Sequence, residues 1–333
     1  MKIAVVGYGY WGPNLLRNLA ETEGAQVTWC VDMRPDRRAL AKKRYPTINV
    51  TDDVNEVFRD PAVDAVVIAT PVSSHYPLVK MALEKGKHVL VEKPMTRTVA
   101  EGEELVALAK QKGLVVMVDH TFIYTGAVRK IKELVGKSEL GNLYYFDSVR
   151  VNLGLLQHDI DVIWDLAPHD LSILAHLVPE SPVAVAAVGI AHTASGLADV
   201  AYMTVHYASS FLAHFHMNWL SPVKVRQILI GGDRKMLVYD DMEPTEKVRL
   251  YDSGIKVTTQ EGIYKMLVDY RMGDMWAPKT DFGEALSTGC AHFVDCVHKG
   301  LQPITGAEMG LKVVRLLEAA SKSLATQGQR VAV

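Results

Sequence analysis

Cysteine is scarce in this chain. Its three thiols, Cys30, Cys290 and Cys296, are too few and too scattered for a disulfide framework, so a reducing compartment is the simpler expectation. Charge of one sign is missing too: 36 Lys and Arg face 38 Asp and Glu, a net charge of −2. That balance argues against a chain built to coat nucleic acid or an anionic membrane. No apolar run reaches the roughly 20 residues that a membrane span needs. The start, Met1-Lys2-Ile3-Ala4-Val5-Val6-Gly7, has neither the long apolar segment nor the small-residue cleavage site of a secretory signal. Internal repeats and low-complexity linkers are lacking as well. These exclusions leave the expectation of a cytoplasmic globular chain. With 333 residues, 49% of them apolar, it is long enough for about two domains at roughly 150 residues each.

The first third alternates strand and helix. Lys2 to Val6 is a β-branched run that stops at glycine, and Gln26 to Val31, Asp64 to Ala69, Lys87 to Val91 and Leu114 to Val118 read as further buried strands. Between them, Leu15, Leu16 and Leu19 have helical spacing, Pro35 to Arg44 and Glu101 to Gln111 read as helices, and Ser73 to Lys85 is a helix capped at Ser73 or Ser74 and stopped by Gly86. Strands separated by helices predict a parallel sheet. After about Phe122 the texture changes. One helix, Val128 to Val135, is followed by strands at Val183 to His192, Asp199 to Tyr207, Phe211 to Trp219, Lys224 to Ile230 and Lys235 to Asp240, and two helical stretches end the chain. Tight turns between consecutive strands predict antiparallel pairing. The expectation is an α/β parallel-sheet domain at 1–121 and an α/β domain with a large, mostly antiparallel open sheet at 122–333.

Gly7-Tyr8-Gly9-Tyr10-Trp11-Gly12 follows the first strand directly and leads into a helix, with Pro13 in its first turn. In that context G-x-G-x-x-G reads as a dinucleotide loop. Gly7 permits the tight turn, Gly9 lets the backbone approach a pyrophosphate, and Gly12 allows close helix–strand packing. An ordinary glycine turn is the plain alternative. Asp32 ends the second strand, where a carboxylate accepts hydrogen bonds from the adenosine ribose and repels a 2′-phosphate, so NAD is favoured over NADP. Arg34 points the other way, since an arginine there can hold a 2′-phosphate.

Glu92-Lys93-Pro94 closes another strand of the parallel series, at the end where such sheets bind ligands, and Pro94 stiffens the backbone that carries the lysine. Trp164-Asp165-Leu166-Ala167-Pro168-His169 opens a helix. Proline suits a first turn, which puts Asp165 near the N-cap and His169 one turn in, on the same side at i, i+4. A helix dipole then lowers the imidazole pKa and keeps it able to take a proton from an alcohol. Taken alone, Asp165 reads equally as a cap and His169 as a core histidine. Asn152, His158, Asp159 and Asp161 precede the helix and form a polar wall suited to a polyhydroxylated or amino sugar, or simply a solvated loop. His214 and His216 share one strand face, but no third ligand is evident, so no metal site is expected.

Gly7-x-Gly9-x-x-Gly12, Glu92-Lys93-Pro94 and Asp165-x-x-x-His169 together resemble the glucose–fructose oxidoreductase / inositol dehydrogenase (Gfo/Idh/MocA) family, over the whole chain. The resemblance implies a Rossmann domain followed by an antiparallel-sheet α/β domain, and NAD(P)-dependent redox at a sugar or cyclitol carbinol. By position it makes Lys93 the lysine that contacts substrate and cofactor, and Asp165 and His169 the acid–base pair; the Asn152 and His158 stretch before the helix is expected to face the substrate by its polarity alone. It aligns Tyr10, Trp11, Thr70, Pro71, Ser74, His75, Glu92, Asp119 and His120 with cofactor-lining segments. Many members carry Asn or Gly where this chain has Asp119. Two rival activities remain open: a glycosidase using transient oxidation by a held NAD, and a dinucleotide-sensing regulator without turnover. The family also pairs subunits through the second sheet. Here that sheet carries a charge-poor face with Tyr202, His206, His214 and His216, so a homo-oligomer, dimer or tetramer, is expected.

Overall fold

The computed structural model describes residues 1–154, 159–256 and 269–333, with the backbone alone at 254–256 and 269–271. The chain forms two compact units. The first comprises Met1–Tyr124 and Gly283–Glu318; the second comprises Thr125–Phe282 and Ala319–Val333. The chain therefore passes between units three times, not once near residue 121.

In the first unit, β1 (Lys2–Val6), β2 (Gln26–Val31), β3 (Asn49–Thr51), β4 (Ala65–Ile68), β5 (His88–Glu92) and β6 (Val116–Asp119) form a six-stranded sheet in the order β3-β2-β1-β4-β5-β6. Every pairing in it is parallel. The crossovers are α1 (Gly12–Glu21), α2 (Pro35–Arg44), α3 (Val54–Arg59), α4 (His75–Glu84) and α5 (Val99–Lys112). β1, β4, β5 and β6 are buried on both faces, which is why they read as nearly unbroken apolar runs rather than alternations. α5 opens with a capping box at Thr98 and Glu101 and stops at left-handed Gly113. β3 and α3 were not expected. Three and six residues leave too little pattern to register.

In the second unit α6 (Gly126–Gly136) and α7 (Val162–Leu177) accompany a nine-stranded sheet. Its strands are β7 (Leu143–Leu153), β8 (Pro182–Ile190), β9 (Val200–Tyr207), β10 (Leu212–Asn218), β11 (Leu220–Gly232), β12 (Met236–Asp240), β13 (Val248–Tyr251), β16 (Met275–Trp276) and β17 (Val331–Ala332). β14 (Gly254–Lys256) and β15 (Asp269–Arg271) make a separate two-stranded ladder. The large sheet runs β16-β13-β12-β11-β7-β10-β9-β8-β17 and is antiparallel except where β10 lies parallel to β7. That pair sits at its centre. β7 was not expected as a strand. Its inward positions include Ser148 and Arg150, so the apolar alternation that identifies β9 and β10 is broken there.

The last two helices are α8 (Ala285–Lys299) and α9 (Ala307–Ala325). α8 packs on α1 within the first unit, burying Leu286, Phe293 and Val294. α9 begins in the first unit, where Val314 joins the core of Val91, Val116 and Val118. It ends in the second unit, where the Ser323 hydroxyl accepts from the Ala187 N–H at 2.8 Å. All three cysteines are buried free thiols.

Candidate active site

In the first unit the glycine loop is shaped by contact. Gly7 has φ +94°, and a Cβ there would lie 2.5 Å from the Ala69 carbonyl oxygen. A Cβ on Gly12 would lie 2.1 Å from the Gly7 oxygen. Gly9 differs: the nearest atom to a Cβ there is the Arg34 guanidinium, at 3.6 Å. Its bare backbone faces open space ahead of α1, a cradle that a side chain would fill and a pyrophosphate fits. Tyr10 and Trp11, edge to face at 5.4 Å between centroids, are exposed beside it.

Asp32 is buried and heavily engaged. One carboxylate oxygen accepts from the Tyr8 N–H at 2.7 Å and from Arg34 Nη2 at 3.2 Å. The other accepts from the Arg34 N–H at 2.9 Å and Nε at 3.1 Å. Burial alone raises an acid's pKa, but these donors outweigh it and hold Asp32 below the ordinary carboxylate value.

Beyond β4, the Thr70 and Ser74 hydroxyls share a hydrogen bond of 2.6 Å, and Pro71 is exposed. Ser74 sits at the N-cap of α4 behind a 3₁₀ turn, Val72–Ser74, and its side chain makes no capping bond; it donates instead to the Pro71 carbonyl. His75 is not surface lining. It is buried, with ring nitrogens 2.8 Å from the carbonyls of Pro94 and Thr70, and so ties the loops after β4 and β5 together.

Lys93 follows β5 and is partly exposed among buried neighbours. Glu92 and Asp119 are register partners at the carboxyl ends of β5 and β6, both buried. Burial, then the nearby Asp119 charge, pushes Glu92 well above its usual pKa. Burial raises Asp119 to about 6, against the opposing pull of a Thr121 hydroxyl bond at 2.9 Å and of Lys93. His120 is buried with neither ring nitrogen hydrogen-bonded among the described residues, and burial, with Lys93, lowers it to about 3. A depression of about 600 Å³ lies at the opposite, amino ends of β1, β4 and β5, lined by Asp64, Lys87 and His88. It holds none of the expected site residues.

In the second unit the cap of α7 is Asp161, not Asp165. Its carboxylate accepts from the N–H groups of Ile163 and Trp164, each at 3.0 Å. Pro168 is inside the helix and His169 lies about two turns in, beyond the first turn where a dipole acts strongly. The helix dipole therefore has little hold on His169, contrary to the sequence expectation. Asp165 is instead held by Trp219, whose indole N–H donates to it at 3.1 Å. Beside His169, Asp170 is buried in a two-pronged pair with Arg150 of β7, at 2.9 and 2.6 Å, with the Ser148 hydroxyl donating as well at 2.9 Å. Sequence reasoning did not find Trp219, Arg150 or Asp170. Arg150 stands at an inward β7 position, where a buried charge needs a partner, but with β7 itself unread the sequence carried no such signal. Asn152 is partly exposed on β7, Asp159 is exposed, and His158 lies outside the described residues. His214 and His216 stack against Tyr202, with centroids 6.3 and 4.5 Å away.

Comparison with known proteins bears on both units. The family described as oxidoreductase family, NAD-binding Rossmann fold, matches residues 1–120, and the GFO/IDH/MocA C-terminal domain matches residues 128–238. The uncharacterised oxidoreductase YdgJ of Escherichia coli K12 is 30% identical over 74% of this chain and 73% of its own length. The chain belongs to the Gfo/Idh/MocA oxidoreductase family. It is also similar to the scyllo-inositol 2-dehydrogenase (NADP+) IolW of Bacillus subtilis, 24% identical over 97% of this chain and 93% of the relative. In fold it matches the UDP-N-acetylglucosamine 3-dehydrogenase of Acidithiobacillus ferrooxidans, with TM-score 0.83, 22% identity and 99% of each chain covered. The chain is thus an NAD-binding oxidoreductase of this family, and among the described residues no helix is long and apolar enough to cross a membrane.

Proposed function

We propose that the protein is an NAD-dependent dehydrogenase acting on a secondary hydroxyl, or the matching ketone, of a sugar derivative. Lys93 carries the reading: a partly exposed ammonium stands at the carboxyl end of β5 among Glu92, Asp119 and His120, on the side of the sheet that bears the glycine loop. The relatives support the substrate class, since one is named for a cyclitol and another for a nucleotide-linked amino sugar. The cradle at Gly9 would hold the pyrophosphate, and Asp32 the adenosine ribose.

When bound, NAD supplies the hydride acceptor at its nicotinamide ring. The chain supplies the rest. His169 takes the proton from the substrate hydroxyl as general base. Asp165, with its orientation fixed by the Trp219 indole, assists by stabilising the imidazolium. Lys93 stabilises the developing alkoxide and positions the carbinol.

The test is a screen of free and nucleotide-linked sugars with NAD and with NADP, read as absorbance of the reduced cofactor. Steady build-up with a sugar is expected. Lys93→Ala and His169→Ala should each lower kcat by roughly 10²–10⁴-fold. Near-wild-type rates in either variant overturn the assignment, and sugar cleavage without net build-up of reduced cofactor points to transient oxidation instead.

A further inference from the structure

The first unit buries more acid than a dinucleotide site needs. Asp32 accounts for the ribose end, and Lys93 for the substrate end. Glu92 and Asp119 remain. They are adjacent in register on neighbouring parallel strands, whose backbones run about 4.8 Å apart. They are exposed to 9% and 4% respectively, so water screens them little.

The strand order places them. A dinucleotide crosses the carboxyl ends of such a sheet at the switch point beside β1. Asp32 directly follows β2, on one side of β1, and so claims the adenosine half. The other half extends toward β4, β5 and β6, where Glu92 and Asp119 end the last two strands. The nicotinamide ring is cationic when oxidised and neutral when reduced. Two carboxyls in one buried place cannot both ionise cheaply unless a cation is near. Lys93 is near enough to pull both acids down against their burial.

We propose that Glu92 and Asp119 act as one proton-exchanging pair that senses the charge of the nicotinamide ring, holding one proton more beside the reduced cofactor than beside the oxidised one. The pair thereby links cofactor preference to pH. It rests on the dinucleotide reading of the glycine loop, and not on the identity of the sugar.

The other groups around the pair do not substitute for it. From α4, His75 is held neutral-leaning by burial, and Lys93 adds to that. His120 sits near 3, lowered by burial. Tyr124, in the turn after β6, and Cys290, on α8, are both raised by burial, with Asp119 adding to each, and stay protonated at neutral pH. Glu284, at the start of α8, is held low by hydrogen bonds from Arg17 and Asn18 and stays ionised. Thr121 donates to Asp119 and does not titrate.

The sign follows from linkage. The oxidised ring favours the deprotonated pair, so raising pH tightens NAD+ binding relative to NADH. The experiment titrates the substrate-free protein with NADH by fluorescence and with NAD+ by competition, from pH 5.5 to 8.5. The ratio Kd(NAD+)/Kd(NADH) should fall roughly tenfold across that range, and no faster than about tenfold per pH unit for one proton. Glu92→Gln and Asp119→Asn each remove one acid, and because burial raises each acid by itself the ratio should become flat only when the two substitutions are combined. The adenosine and pyrophosphate contacts are common to both forms and cancel. A flat wild-type ratio, or a slope that survives both substitutions, overturns the pair's role while leaving the proposed dehydrogenase standing. Failure of either cofactor to bind overturns the dinucleotide reading itself.

Discussion

Asp32 and Arg34 are in conflict over one ribose. Arg34 lies half-exposed with its guanidinium and its backbone N–H both on the Asp32 carboxylate. For Asp32 to accept from ribose hydroxyls, the Arg34 side chain must release it. For a 2′-phosphate to bind, the same guanidinium is already at hand. The carboxylate sits on a buried strand end and is fixed; the arginine is long and mobile in principle. Asp32 should therefore win, and kcat/KM should be higher with NAD than with NADP. Asp32→Ala should narrow that gap by about tenfold or more, the worth of a hydrogen bond to a charged group. Arg34→Ala should widen it. Equal kcat/KM for both cofactors in the wild type would reverse the assignment and make Arg34 the deciding residue.

At the scale of elements, α7 is held to the central strand β7 by Arg150, Asp170 and Ser148, and it carries Asp165 and His169. Breaking a buried pair leaves an uncompensated charge and costs about 3–5 kcal/mol. Asp170→Asn should therefore lower the thermal midpoint by on the order of 10 °C in a scan of the whole chain. Arg150→Met combined with Asp170→Leu should lose much less. A single Asp170→Asn change costing under about 1 kcal/mol would refute this account. The same pair explains what could be read in advance. β1, β4, β5 and β6 were legible because burial on both faces leaves nearly unbroken runs of Val, Ile, Leu and Ala. β10 was legible because Phe211, Ala213, Phe215 and Met217 alternate cleanly with Leu212, His214 and His216. β7 was hidden because its inner face carries polar groups whose partner is twenty residues away in sequence. The start of α7 was misplaced for a related reason. Asp159, Asp161 and Asp165 are all credible caps, and Pro168 drew the boundary toward Asp165 because proline favours a first turn. The helix instead accommodates Pro168 in its interior.

At the scale of the whole molecule, the outer face of the nine-stranded sheet offers Tyr202, Leu212, His214 and His216 with almost no Lys or Glu. Tyr202 and Leu212 are 43% and 42% exposed. We propose that a second copy of the chain covers this face. Light scattering at micromolar concentration should report a dimer or tetramer, and Tyr202→Lys with His216→Glu should shift it to monomer; a monomeric wild type would sink the idea. The passage of the chain between units has a different consequence, one of timing. Gly283–Glu318 belong to the first unit, yet about 160 residues separate them from Tyr124. At roughly 5–20 residues per second, a ribosome takes on the order of 10–30 s to make that stretch. Through that interval the surface destined for Phe293 and Val314 has no cover. The half of the protein synthesised first is thus among the last to be finished, and the nascent chain must survive with an open apolar seam until its final helices emerge.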